Sequence, residues 1–523
     1  MRRLTPALLP LLLTAVGADY RNPLRDPTAP GYRDPELASP SAGAAAGTWH
    51  TLLRRVRTLP LGSKAALAGG SLVVTSRALV PSRGPCPPLR TVLGGREEAS
   101  LVEESPPGRL AVAARSVVLL LTFLPIVLAS PLAYCVRLFR ERVFFVMIKR
   151  ALARAGTAFI KWGQWASCRP DMFPEALCAA LSELHSRAPT HTFGHTRREV
   201  EAAFGVPLEE AFDSFEPAPL ASGSIAQVHL ARLAGRAEPV AVKVRHPRVV
   251  RRIVTDFIIM RRLAEWSAKV AVLSWLNLKA SVGQFSSTMV AQTRLDIEGE
   301  HLDRFNWNFG QPSWRDTAFP LVLAPPGRAV LVESYEPGEL VSTYTIEKSL
   351  GLAHGHSLER RLAHFVVSRG EDTYLKMLLV DNLMHADLHP GNILLHATPG
   401  APPRLVLLDV GMVARLTPAE SDAFIGLLRA MGAGDGAKAA RAVLRFSEEQ
   451  TCVGEAVPGF VHDMHTLFEE RCRGFGTGVA FGPVLRGVLR LARTHRVALD
   501  ANYMTLIMNV LCLEGMAEAL LPE

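Results

Sequence analysis

The sequence predicts an α+β fold in two lobes, preceded by a helical extension and one helix of membrane-spanning length. Three observations carry that prediction. Residues 220 to 244 hold two β-rich runs around a short glycine-containing connection, which reads as a hairpin with a lysine in its second strand. Residues 385 to 392, "HADLHPGN", crowd two histidines, an aspartate and an asparagine behind a run of leucines, and "RLVLLDVG" follows them. Elsewhere apolar residues recur at steps of three and four, the period of helices packed on one side.

Bulk composition narrows the class. A chain of 523 residues is long enough for two or three domains with real cores. Its 48% hydrophobic and 20% charged content excludes a mainly disordered protein. The net charge of +9 is thinly spread, with no basic run interleaved with aromatics, so no nucleic-acid partner is expected. Nine of the 58 basic residues are lysines, so a lysine inside a motif carries more information than usual. The 7 cysteines are scattered and never form C-x-x-C, which argues against a zinc site or a disulfide framework and for a reducing compartment.

Along the chain, residues 1–60 are arginine-rich, free of lysine and poor in acids, the composition of a mitochondrial transit peptide. Arg2 and Arg3 ahead of the apolar stretch Ala7 to Val16 leave a secretory signal as the alternative. Residues 61–115 read as linker. Residues 116–136, "SVVLLLTFLPIVLASPLAYCV", hold no charge between Arg115 and Arg137, and a stretch of about 20 apolar residues is what spans a bilayer. Pro125 and Pro131 are tolerated better in lipid than in water. A buried or re-entrant helix is the competing reading. Arg137, Arg140, Arg142, Lys149 and Arg150 follow at once and suit anionic headgroups.

Residues 141–215 form the expected helical extension. Phe145, Ile148, Leu152, Ala155, Phe159, Trp162 and Ala166 make one continuous apolar stripe, predicting a single helix that Arg169-Pro170 ends. Lys161 and Gln164 share the opposite face.

Residues 216–340 form the first lobe. Val240, Val242 and Val244 point one way and Lys243 the other, and an ammonium on a mid-sheet strand is costly without an anion to meet it. "VAVK" has the form of the kinase strand whose lysine contacts nucleotide phosphates and pairs with a helix glutamate. The small, polar turn Ser222, Gly223, Ser224, Ile225, Ala226 and Gln227 precedes it, where backbone amides could reach phosphate. In the helical stretch 293–305, Glu300 is the partner assigned to Lys243, although Arg304 four residues on offers a local explanation. Residues 330–340, "VLVESYEPGEL", occupy the place of a hinge that meets adenine, with Glu333 as the candidate contact.

Residues 341–523 form the second lobe. His385, Asp387 and Asn392 have the spacing H-x-D-x-x-x-x-N of a kinase catalytic loop, and Asp409-Val410-Gly411 stands where D-x-G supplies a metal-binding aspartate. Asp387 is then the acid–base group, and Asn392 and Asp409 offer the oxygen ligands that magnesium prefers. Thr417-Pro418-Ala419-Glu420 is a capping box opening a helix buried through Phe424, Leu427, Leu428 and Met431. The last 70 or so residues carry no motif.

Taken in order, these residues resemble the UbiB, or aarF-domain, family of atypical kinases. The family's K-x-G-Q is matched by "KWGQ" with Lys161 and Gln164, its alanine-rich phosphate loop by "SGSIAQVH", and its catalytic loop by "MHADLHPGN". The resemblance implies a protein-kinase-like bilobal fold whose extension packs over the active site, with Lys161 and Gln164 facing ATP or ADP and Mg2+. It further implies ATPase or small-molecule or lipid kinase activity in mitochondria, at the inner membrane in a single pass. A membrane lipid or ubiquinone precursor and ubiquinone-biosynthesis proteins are the implied partners, and a nucleotide-binding pseudokinase scaffold is the alternative. Three departures stand out: Arg294 where the family's E-x-D has its first acid, the glycine and serine in the alanine-rich loop, and Val410 in place of phenylalanine.

Overall fold

The structure is a computed structural model that describes residues 85–89 and 107–521, apart from 168–172, 183, 185–189, 268–281, 284–285, 287–288, 350–357, 399, 448–449 and 473–480. The expected targeting segment and most of the linker lie outside the described residues.

The apolar segment is helix α1, Arg109–Cys135, which begins seven residues before the uncharged stretch it was expected to match. It takes in Arg115, whose Nε donates to Asp256 Oδ1 at 2.6 Å and whose Nη2 donates to the Ala155 carbonyl. The chain turns at Val136, which is extended, and returns alongside α1 as α2, Phe145–Ala155. Val112 and Leu119 of α1 join a core with Leu152 and Ala155, while Val117, Leu120, Leu121, Leu124, Val127 and Leu128 are exposed.

The single helix expected from the stripe is two, α2 and α3, Thr157–Ser167, divided at Gly156. Gly156 has φ +107°, a conformation that residues with a Cβ rarely adopt. The stripe nevertheless stays on one side: Leu152, Ala155, Phe159 and Ala166 are buried together, with Ile148 and Trp162 packed against them. Burying each large member contributes about 2 kcal/mol. After α4, Phe193–Phe204, comes an antiparallel sheet of β1 (Phe212–Phe215), β2 (Ala221–Ser222), β3 (Ala226–Leu233), β4 (Val240–Arg245) and β6 (Val330–Ser334). Val240, Val242 and Val244 are fully buried in a core with Val200 of α4, so the alternation read from the sequence holds. Helices α5, Val249–Ser267, and α6, Leu295–Phe309, intervene before β6.

A second sheet runs β5 (Thr317–Ala318), β10 (Arg404–Leu407), β9 (Ile393–His396), β7 (Glu339–Leu340). The segment expected to be a hinge therefore leaves one sheet at β6 and enters the other at β7. Gly338 sits in it at φ +150°, where an added Cβ would stand 2.8 Å from the Leu395 carbonyl oxygen. Below lies the largest core, built from α7 (Arg360–Lys376), α8 (Pro418–Ala433), α9 (Gly436–Val443), α10 (Ala456–Arg471), α11 (Phe481–Thr494) and α12 (Ala501–Leu520). The capping box is present at α8: Thr417 accepts from the Glu420 amide, and Glu420 accepts from the Thr417 amide at 2.7 Å. Two short strands, β8 (Met384–His385) and β11 (Val413–Ala414), pair antiparallel and bring the catalytic-loop candidate beside the chain that follows Asp409.

Candidate active site

Lys243 projects from β4 on the face opposite the valines. Its Nζ donates to both carboxylate oxygens of Glu298, at 2.8 and 2.9 Å, and to Asp409 Oδ1 at 3.2 Å. Glu298, not the Glu300 expected from the sequence, is therefore the partner of Lys243. Two residues along a helix rotate the side chain by about 200°, so when Glu298 faces the sheet Glu300 cannot. Glu300 instead lies toward Arg294 and Asp303. Gly299 lets α6 close on the sheet, since a Cβ there would stand 2.8 Å from Pro326.

Burial works against the Lys243 ammonium, but Asp409, Glu298 and Glu333 outweigh it and hold its pKa far above the ordinary value. The same ammonium holds Asp409 far below the usual carboxylate range. Burial pushes Glu298 up to about 7 against the pull of Lys243, and burial with the Glu298 charge pushes Glu333, on β6, up to about 8. Three carboxyl groups thus crowd one ammonium, with Lys161 acting on Asp409 as a second cation, an arrangement still short of positive charge.

The second half of the site is fixed from the loop side. His385 is fully buried; its Nε2 donates to the Leu408 carbonyl at 3.0 Å and its Nδ1 accepts from the Asp387 amide at 3.1 Å. One neutral ring therefore ties Asp387 to the residue before Asp409, and burial keeps it neutral by lowering its pKa. Asn392 Nδ2 donates to the Asp387 carbonyl at 3.0 Å, which commits that end of the amide and leaves Oδ1 as the end able to meet a cation. Asp409 takes φ +52°, a strained setting for a non-glycine residue.

Lys161 comes from α3 to within 3.5 Å of Asp387 Oδ2. Burial opposes the Asp387 carboxylate, but Lys161 and His389 outweigh it and lower its pKa. Gln164 does not accompany Lys161: its amide donates to the Leu184 carbonyl at 2.7 Å. In the phosphate-loop candidate, Ser222 to Ala226 border the extension, with Ile225 packed against its core and the Ser224 carbonyl accepting from Thr157 at 3.5 Å. Gln227, expected in the phosphate loop, faces the other way. It sits opposite Val244 on the valine face, fully buried, and its amide is engaged by His191 and His229. Alternation along β3 turns it away from Lys243.

Arg294, the inverted charge of the E-x-D position, is neutralised on the spot by Asp296, with Nε and Nη2 donating at 2.8 and 2.7 Å. Val410 is wholly buried, and its carbonyl accepts from His301 Nδ1 of α6 at 2.8 Å. His301 was not singled out from the sequence, nor was Asn509 of α12, whose Nδ2 donates to the His385 carbonyl at 2.7 Å. Neither lies in a local motif; for Asn509 a polar residue inside an apolar helix was the one signal available, and His301, on a helix rich in charge, offered none.

Among the described residues no trio of histidine, cysteine, aspartate or glutamate side chains could hold a metal ion by itself. The shortage of positive charge around Lys243 and the set Asp409 and Asn392 still fit magnesium, which is commonly held by one or two protein oxygens with phosphates and water.

A lysine clamped by a helix glutamate beside a D-x-G aspartate, with an H-x-D loop below it, defines a kinase-like protein. Residues 183–443 match the ABC1 atypical kinase-like domain, and the chain belongs to that ABC1, or UbiB/aarF, family. It is 29% identical over 501 residues to the probable serine/threonine-protein kinase abkC of Dictyostelium discoideum, covering 83% of this chain and 70% of that one. It is 27% identical to the mitochondrial ABC1 family protein C21C3.03 of Schizosaccharomyces pombe (78% and 69% covered). It is 28% identical to the probable protein kinase UbiB of Providencia stuartii (72% and 67%). Among solved structures, the complex of Rv3197 with erythromycin from Mycobacterium tuberculosis matches 65% of this chain and 89% of that one at 19% identity, with a TM-score of 0.35.

Proposed function

We propose that the chain binds an adenine nucleotide with Mg2+ between the two sheets and turns it over, as an ATPase or a kinase of a small molecule or lipid. The observation that carries this reading is the convergence of Lys243, Glu298 and Asp409 from three distant segments, with Asp387 tied to the same strand end through His385. In it, Lys243 holds phosphate oxygens and is fixed by Glu298. Asp387 takes the proton of the attacking hydroxyl or water. Asp409 and Asn392 hold magnesium, which neutralises phosphate charge when bound. The two sheets and their cores act as the two lobes, 216–340 and 341–523, with 141–215 as the extension laid over the cleft. Glu333 stands at the hinge end.

Purified chain should hydrolyse ATP with magnesium, and Asp387→Asn should abolish this while leaving the melting temperature within a few degrees. A second reading, a nucleotide- or lipid-binding scaffold, draws on the Lys161–Asp387 contact, which occupies the acid–base group. Nucleotide-induced thermal stabilisation without turnover under any lipid condition would favour it.

The setting we propose is the mitochondrial inner membrane, in support of coenzyme Q or mitochondrial lipid metabolism, as the mitochondrial name of the fission-yeast relative suggests. The exposed face of α1 enters the bilayer. Crossing it in a single pass requires α1 to part from α2 at Val136, because α2 carries Lys149, Arg150 and Arg154 along the hairpin. Protease protection of tags on either side of residues 109–135 in isolated mitochondria separates crossing from lying on one leaflet; an endoplasmic-reticulum pattern would defeat the address.

A further inference from the structure

A relay of neutral imidazoles lies behind the phosphate-loop candidate. His246, just after β4, brackets the loop: its backbone N–H donates to the Ile225 carbonyl at 2.8 Å and its Nε2 meets the Gly223 carbonyl at 3.0 Å. A trans peptide points its N–H opposite its C=O, so gripping the Gly223 oxygen aims the Ser224 N–H away from the histidines. The His246 Nδ1 stands 2.7 Å from His191 Nδ1, and His191 Nε2 stands 3.0 Å from the Thr196 hydroxyl.

The tautomers follow from what each partner can do. A carbonyl only accepts, so His246 donates from Nε2 and accepts at Nδ1. His191 must then donate from Nδ1 and accept from Thr196 at Nε2. His229 donates from Nδ1 to the Glu216 carbonyl at 2.8 Å and accepts at Nε2 from the Gln227 amide, 2.9 Å away. The Gln227 amide is oriented by the His191 backbone N–H at 2.9 Å, which closes the relay. The rings have no other neutral arrangement, while the Thr196 hydroxyl also stands 3.2 Å from His229 Nε2.

We propose that His246 is a positioning residue for the phosphate loop, kept in one tautomer by His191 and Thr196, and that double protonation of this relay releases the loop. The inference rests on the nucleotide reading, since that reading makes 222–227 a phosphate loop. A first added proton is absorbed when His191 shifts its own hydrogen to Nε2. A second sets N–H against N–H across the 2.7 Å contact. Burial and the surrounding histidines hold His191 down to about 4, and burial lowers His229 and His246. The other ionisable neighbours are His195, whose ring stands edge-on to His191 with Glu199 3.8 Å from its Nδ1, and Arg245, whose guanidinium is turned to the Thr293 and Arg328 carbonyls. Because the folded pKa values lie below the ordinary histidine value, the clasp is whole above about 6.5 and is lost as pH falls toward 4.

The test uses the full chain in nanodiscs, with hydrogen exchange of 222–227 and binding of magnesium–ATP read together. His246→Phe keeps the shape but loses both ring bonds, and at about pH 8 it should speed exchange and weaken binding about tenfold each. His246→Gln keeps a donor near Nε2 and should stay within about threefold. Wild-type affinity should fall as pH drops from about 6.5 toward 4 and that of His246→Gln should fall less. Exchange and binding in His246→Phe equal to wild type, or identical pH profiles for wild type and His246→Gln, would overturn the clasp. If wild type binds no nucleotide at any pH, the functional reading fails while exchange alone still decides the clasp.

Discussion

Among the described residues two helices are long and apolar enough to cross a membrane, and they end up in opposite places. α1 has mean hydropathy 2.3 with 11% of its most apolar window buried; residues 502–520 of α12 have 1.3 and 44%. The polar groups explain the difference better than the hydropathy. In α12, Asn502 donates to Glu420 and Asn509 to the His385 carbonyl, while the Leu506 carbonyl accepts from Tyr374. Each such bond would be lost in lipid, so α12 is a core helix that reaches the catalytic-loop candidate. In α1 the second of its two arginines, Arg115, is drawn to the domain by Asp256, and among the described residues the apolar face beyond it is exposed. An apolar helix is therefore classified by where its few polar atoms find partners.

The sharpest break of that contrast is to make the α1 face polar. Converting Leu120, Leu121 and Leu124 to glutamine removes roughly 5 kcal/mol of apolar transfer, a more than thousandfold drop in partition into vesicles by cosedimentation. Membrane binding unchanged by all three would show that α1 meets protein instead. Next in size, Asp256→Ala strands the Arg115 guanidinium and should cost about 3 kcal/mol in urea unfolding, with Arg115→Met costing less. Asn509→Ala should leave vesicle binding untouched, reduce stability by about 2 kcal/mol and slow ATP turnover through the His385 carbonyl. Turnover at the wild-type rate would cut the link between α12 and the catalytic loop.

The smallest effect concerns the seat of α12 on α7, where Met516 and Leu513 approach Gly370. Glu371, the next residue, is pushed up to about 8 by burial and by Asp372. A raised carboxyl pKa means the folded state holds a proton that the unfolded state releases, so stability declines as pH rises from about 4.5 to 8. Glu371→Gln should flatten that decline in melting temperature; an unaltered slope would assign it to other groups.

Strand alternation made Lys243 legible, and fixed spacing made Asp387, Asn392 and Asp409 legible, because in both cases the chain's local period sets the side-chain direction. Glu298 was not legible against Glu300. Both sit on the same short helix, and only the angle at which α6 meets the sheet chooses between them. Gln227 misled because a motif names residues in a row while a strand sends alternate ones to opposite faces. His301 and Asn509 act across 109 and 124 residues of chain, and no local pattern encodes such a separation. The break at Gly156 was hidden because the apolar stripe runs straight across it.

That glycine has a mechanical meaning. Arg115 grips the carbonyl just before it, and Thr157 just after it touches the Ser224 carbonyl. A swivel joint thus lies between the exposed apolar rod of α1 and the loop that would cradle phosphate. Any change in the rod's tilt must be taken up there or passed on as torque to the nucleotide cradle.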